Sequence, residues 1–169
     1  MKNLSNLKKK FKKFLGINKQ LDITKITDYL YVGSWPKKEN IDELKKRNIG
    51  LIISLIFQKD DKELGQKPFK LLSFTTFDTP WTPLPMKVFY KSVEESQKYI
   101  KDNKAILVYC KSGMNRSVII AAAILVSQGY TADEALELIR SKRLVAKGRR
   151  RGLLKQLYKF ESEWNKKFK

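Results

Sequence analysis

Residues 105–128 read AILVYCKSGMNRSVIIAAAILVSQ. From Ala105 to Tyr109 every residue is apolar or aromatic, the pattern of a strand buried on both faces. Residues 116–128 are apolar for most of their length, too long a run for a strand. They read as a buried helix that stops at Gly129. Five residues, Lys111 to Asn115, join the two, and Gly113 supplies the backbone freedom a tight arch needs. A buried strand, a short loop and a buried helix are the repeating unit of a parallel sheet. In such sheets ligands bind beyond the carboxyl ends of the strands.

The same alternation runs outward along the chain. Ile26 to Val32 reads as a short strand ending at Gly33, and Ile41 to Lys46 as a helix entered through Glu39 and Asn40. Leu51 to Phe57 is a second nearly all-apolar strand, and Phe69 to Phe74 a further one. Asp78 to Pro85 holds three prolines and must be a loop. Met86 to Ile100 is helical. Thr131 caps the next helix, with Glu134 three residues on completing a capping box. The last helix runs from about Arg151 to Phe168, with Leu153, Leu154, Leu157, Phe160 and Trp164 as a core-facing stripe. The predicted fold class is α/β, with a mostly parallel central sheet flanked by helices on both faces.

A length of 169 residues suits one domain, and 42% hydrophobic residues suit a globular one. One cysteine excludes an internal disulfide framework. The absence of histidine excludes the usual Cys/His zinc sites and any histidine acid or base. The formal charge is +19, which points to an anionic partner. It sits at the two ends. Residues 1–20 carry +7 with no acid, and residues 140–169 carry +10, leaving +2 for the rest.

Within residues 1–20, Leu4, Leu7, Phe11, Phe14 and Leu15 recur at helical spacing among lysines. This separates a basic amphipathic segment, 1–20, from a catalytic domain, 21–169. The segment reads as a foot on an anionic membrane or on nucleic acid, or as a helix packed on the domain with its lysines in water. A mitochondrial-type presequence is the weaker third option, since every charge here is Lys. Arg140, Lys142, Arg143, Lys147, Arg149, Arg150 and Arg151 form the second basic run. It reads either as a solvated helix end or as a field for a polyanionic substrate or an anionic bilayer. No apolar run reaches about 18 residues, so no transmembrane helix is expected. The expectation is a cytoplasmic monomer, with a peripheral membrane contact through 1–20 and 140–151 as the variant.

The chemistry belongs to the stretch from Cys110 to Ser117. Backbone N–H groups of a five-residue arch can converge on one point, and the following helix aims its positive end there. Arg116 can fork two donors onto phosphate oxygens. A sulfur at the floor of such a cradle ionises below the about 8.5 of free cysteine and can attack phosphorus in line.

This Cys-x5-Arg-Ser stretch resembles the cysteine-based protein tyrosine phosphatase superfamily, specifically its dual-specificity branch. The resemblance spans residues 22–165, and its other marks are ITDYLYVGSW (26–35), LIISL (51–55) and VIIAAAILVSQGYTADEALELIRSKR (118–143). It implies Cys110 as nucleophile, Arg116 as phosphate clamp, and Ser117 as the hydroxyl that eases departure of the sulfur. Lys111, Ser112, Gly113, Met114, Asn115 and Arg116 would bind the phosphate through their amides. Asp78, 32 residues before the cysteine, would be the general acid. Its setting after a strand, among prolines and beside Trp81, suits a movable acid loop whose carboxyl is raised. Asp60 and Asp61 lie in a polar segment read as exposed.

No metal and no cofactor are implied. The family usually has His before the cysteine, where this chain has Tyr109. Lys111 resembles phosphoinositide and phosphatidylglycerophosphate phosphatases of the superfamily, and Asn115 also occurs in viral dual-specificity phosphatases and RNA 5′-triphosphatases. The expected function is a phosphatase working through a phosphocysteine, foremost on phosphorylated Tyr and Ser/Thr of proteins. The alternatives are a phosphoinositide or other phospholipid phosphatase, an RNA 5′-phosphatase, and a pseudophosphatase that binds phosphate without turnover.

Overall fold

The computed structural model describes residues 21–76 and 82–168. The basic segment 1–20 and Asp78 therefore lie outside the described residues. Five strands form one sheet: β1 (Ile23–Lys25), β2 (Leu30–Ser34), β3 (Ile49–Ser54), β4 (Lys70–Ser73) and β5 (Ala105–Cys110). Their order is β1-β2-β5-β3-β4. The last four run parallel, and β1 pairs antiparallel with β2 at one edge. Among the described residues the α-helices are α1 (Ile41–Lys46), α2 (Met86–Lys101), α3 (Arg116–Val126), α4 (Ala132–Lys142) and α5 (Arg151–Phe168).

All six residues of β5 are buried, because its alternate side chains enter two different cores. Ile106, Val108 and Cys110 face a large cluster with Val88, Phe89 and Val93 of α2, all of α3 from Val118 onward, Leu136 and Ile139 of α4, and Leu157 and Phe160 of α5. Ala105, Leu107 and Tyr109 face a smaller one with Leu21, Leu44 of α1, Leu64 and Phe69. Each fully buried Leu or Ile contributes about 1.5–3 kcal/mol, so two-sided burial explains the unbroken apolar runs. The expected helices on both faces are present but unequal. Four long helices cover one face. A six-residue helix and two single 3-10 turns, Lys38–Asn40 and Lys62–Gly65, cover the other.

The helix limits expected from sequence agree closely with those found. Thr131 Oγ1 accepts from the Glu134 amide at 3.2 Å, and Glu134 Oε2 accepts from the Thr131 amide at 2.8 Å, so the capping box is formed. Strand limits differ more. The expected strand from Ile26 to Val32 is instead a tight turn, closed by Ile26 N–H to Leu30 O at 2.8 Å, followed by β2. β3 starts at Ile49 and ends at Ser54, so Phe57 falls outside it and is exposed. An extra residue at Gly50, between the pairs Ile49–Ala105 and Leu51–Ile106, shifts the register. It puts Leu51 and Ile53 on one face and Ile49 and Ile52 on the other.

β1 was not expected at all. It crosses so close to β2 that a Cβ on Gly33 would lie 2.4 Å from Ile23 Cγ2 and 2.5 Å from the Asp22 carbonyl oxygen. Gly33→Ala should therefore push β1 off the sheet and lower unfolding free energy by about 1–3 kcal/mol. Urea denaturation measures this, and an unchanged midpoint would contradict the close approach.

Candidate active site

The four parallel strands deliver their carboxyl ends to one edge. In register, Ser34 of β2 lies opposite Cys110, Ser54 of β3 opposite Tyr109, and Ser73 of β4 opposite Ser54. Cys110 ends β5, residues 111–115 bend, and α3 begins at Arg116. The Cys110 Sγ lies 3.3 Å from Ser117 Oγ, and both residues are buried. Backbone N–H groups of Ser112 and Ser117 are also directed at the sulfur, so the loop curls back over it. Burial of the sulfur opposes ionisation. The Ser117 hydroxyl and amide, the Arg116 charge and the Ser112 amide outweigh it and hold the thiol below its ordinary value.

The loop is bent by what holds it from outside. Arg143 Nε donates to the Gly113 carbonyl at 2.9 Å. The amides of Lys147 and Gly148 donate to the Met114 carbonyl at 2.8 and 3.0 Å. In a trans peptide the C=O and the next N–H point in opposite directions. Drawing these two carbonyls outward therefore turns the amides of Met114 and Asn115 inward. Gly113 has φ +64, and a Cβ there would lie 2.5 Å from both Arg143 Nη2 and the Gly33 carbonyl carbon, which leaves glycine alone at this position.

This corrects the expectation that Arg143 belongs to a surface basic run. It is 3% exposed. Its guanidinium donates to both Asp22 carboxylate oxygens at 2.9 and 2.8 Å and to Thr24 Oγ1 at 3.1 Å. The Arg143 hydrogen bonds hold the Asp22 carboxyl below the usual carboxylate range, against the pull of its partial burial. Arg140 and Lys142 bond main-chain carbonyls of Lys147 and Ile26.

Arg116 is buried, and its Nη1 donates to the carbonyl and the hydroxyl of Thr76 at 2.9 and 2.7 Å. The Thr76 hydroxyl in turn donates to the Leu55 carbonyl at 2.9 Å. The guanidinium is thus positioned by the chain that leaves β4. Asp78 stands two residues beyond Thr76 in the chain, outside the described residues. Lys111 and Ser112 are exposed at the loop, with Met114 and Asn115 half-buried.

Tyr109 points to the opposite face from Cys110, as strand alternation requires. Its hydroxyl donates to Asp60 Oδ1. Asp60 also accepts from Ser54 Oγ and Ser73 Oγ, each at 2.8 Å. Burial first, and then the Asp60 carboxylate, push the Tyr109 phenol far above its ordinary value, so it stays a donor. Asp60 is half-buried, contrary to the exposed setting expected for it. Sequence reasoning missed Thr76, Asp60 and the inward role of Arg143. Spacing marks none of them, since each acts on a residue more than 25 positions away.

Two outcomes follow for this site. Ser117→Ala should raise the pH at which half of Cys110 is alkylated by iodoacetamide, while the unaltered protein should react half-maximally below the about 8.5 of free cysteine. Equal midpoints would remove Ser117 from the balance. Asp60→Ala should cost about 1–3 kcal/mol of stability by leaving a buried phenol unsatisfied, and Tyr109→Phe less, because Asp60 keeps two donors. Chemical denaturation of both single variants and the double variant reads the coupling.

The model of the family described as "Dual specificity phosphatase, catalytic domain" matches residues 30–163. The chain is similar to dual specificity protein phosphatase 1B of Arabidopsis thaliana, 27% identical over 141 residues, which is 83% of this chain and 82% of that protein. It is similar to protein phosphatase Slingshot of Drosophila melanogaster, 30% identical over 126 residues, 71% of this chain and 11% of that protein. Among solved structures PTPMT1 superposes with a TM-score of 0.78 at 23% identity, over 86% of this chain and 97% of that one, a likeness of fold. PTPMT1 has also been solved in complex with PI(5)P. Since the family match runs from the first residue of β2 into α5, the chain belongs to the dual-specificity branch of the cysteine-based phosphatase superfamily.

Proposed function

We propose that the protein hydrolyses phosphomonoesters through a phosphocysteine intermediate at Cys110, acting foremost on phosphorylated Tyr and Ser/Thr side chains of proteins. The observation that carries this reading is a buried sulfur 3.3 Å from the Ser117 hydroxyl, held below its ordinary ionisation by that hydroxyl, the Ser117 and Ser112 amides and the Arg116 charge. The Cys110 thiolate attacks phosphorus while the ester P–O bond breaks. The leaving oxygen takes the proton of the Asp78 carboxyl. Inward amides of the loop and Arg116 carry the equatorial oxygens through the transition state. Water then attacks phosphorus and gives its proton to Asp78, the S–P bond breaks, and the Ser117 hydroxyl stabilises the departing thiolate. Lys111, Ser112, Gly113, Met114 and Asn115 act through their main chain. No metal enters these steps.

A phospholipid monoester is the second reading. Lys111 follows the nucleophile and is exposed at the loop, where a cation suits a headgroup bearing more than one phosphate.

Hydrolysis of a small aryl phosphate should survive chelator and vanish in Cys110→Ser. Asp78→Asn should slow it by roughly 10²–10⁴. Chelator-sensitive turnover, or turnover that survives Cys110→Ser, would overturn the mechanism, whereas tight phosphate binding without turnover would support the binding-module alternative. A panel of phosphopeptides, phosphoinositides and 5′-phosphorylated RNA ranks the substrate classes by kcat/KM.

A further inference from the structure

The connection between α4 and α5 carries a feature that the reaction does not use. Leu144 is 93% exposed and its neighbour Val145 49%. They do not sit on a loose tip. Arg143 on one side is bonded to the Gly113 carbonyl, and the Lys147 amide on the other to the Met114 carbonyl. The Ala146 amide closes the turn onto the Arg143 carbonyl at 2.8 Å. Two large apolar side chains therefore project from a braced knuckle built on the outside of the loop that holds Cys110.

The surroundings of this knuckle are cationic. From Leu138 to Phe160 the chain has nine Lys and Arg and no acidic residue. Lys147, Arg149 and Arg151 are exposed and make no ion pair among the described residues. The other basic end of the chain joins the fold at the same place. Asp22, gripped by Arg143, is one residue beyond Leu21, where the segment 1–20 with its seven lysines is attached.

We propose that this face docks on an anionic lipid bilayer. Leu144 and Val145 enter the boundary between headgroups and acyl chains, Lys147, Arg149 and Arg151 meet anionic headgroups, and the phosphate loop is brought against the lipid surface. Charge selects the occupant. Segment 1–20 is itself cationic, and a second copy brings +19, so both are repelled. Nucleic acid would match the cations but give the projecting Leu and Val nothing to bury in. A bilayer answers both features, and stable interfacial binding takes two such signals together. The surface is independent of turnover, so a catalytically silent protein would leave it standing.

The test is sedimentation of the full chain with vesicles of phosphatidylcholine alone and of phosphatidylcholine with phosphatidylserine. Binding should require the anionic lipid and weaken with salt. Leu144→Glu, at a position too exposed to alter folding, should reduce partitioning about tenfold or more with an unchanged melting temperature. The double variant Arg149→Glu/Arg151→Glu should do likewise. Absence of pelleting with the anionic vesicles would overturn the proposal, as would equal partitioning of Leu144→Glu and the unaltered protein. So would binding of a 5′-phosphorylated RNA oligonucleotide without binding of vesicles.

Discussion

The site depends on two main-chain carbonyls being held outward. A five-residue arch left to itself would turn its peptides toward water. Here Gly113 and Met114 are drawn away from the sulfur by Arg143 and by the amides of Lys147 and Gly148. Their following N–H groups then have one direction left. The restraint comes from a segment some 30 residues downstream, and that segment is itself tied to β1 through Asp22 and Thr24. The edge strand, the glycine crossing at Gly33 and the α4–α5 connection are thus parts of one clamp. An anion nest is commonly described by its own residues; the bend of this loop is set by residues on its outer side.

The sulfur and its neighbour in β5 illustrate how one strand serves two opposite needs. Cys110 sits among donors that favour its charged form. Tyr109, one residue earlier and on the other face, sits where burial and the Asp60 carboxylate both favour its neutral form. With the phenol pushed up and the thiol held down, Tyr109 keeps its proton while Cys110 ionises. A histidine at that position would lose or gain charge at about 6.5 unless its surroundings shifted it. Tyr109 gives this chain a brace on the far side of β5 from the thiol, with a proton that the ionisation of Cys110 does not remove. The same carboxylate also accepts from Ser54 and Ser73, which joins the ends of β3, β4 and β5 into one rigid edge.

What could be read in the sequence was whatever repeats or is local. The helices declared themselves by apolar spacing and by caps such as Thr131 with Glu134. The buried strands declared themselves by unbroken apolar runs. The stretch from Cys110 to Ser117 is legible because cysteine, arch and arginine are contiguous. β1 was illegible because a three-residue edge strand with Thr24 and Lys25 has no periodicity to detect; its partner β2 specifies it. Arg143 was misplaced because a buried cation looks in sequence like any solvated one, and only the convergence of Asp22, Thr24 and Gly113 on it shows otherwise. Thr76 and Asp60 escaped for the same reason. Hydroxyls and carboxylates in polar stretches acquire meaning from what the fold sets opposite them.

The charge of the chain has to be divided accordingly. Arg143 is not part of an outward field. Burying a guanidinium costs several kcal/mol unless its donors are satisfied, and here two carboxylate oxygens, a hydroxyl and a carbonyl accept from it. Only a planar fork can reach β1 on one side and the Gly113 carbonyl on the other; a lysine ammonium is a single point and would hold one or the other. Arg140 and Lys142 are likewise engaged on main-chain carbonyls, stitching the knuckle and the turn before β2. What remains for long-range attraction at this end is the set that faces water, Lys147, Arg149 and Arg151 among them, and the Lys147 amide ties it to the loop after Cys110. The cation that braces the loop and those that face water come from one basic run, and burial separates the two.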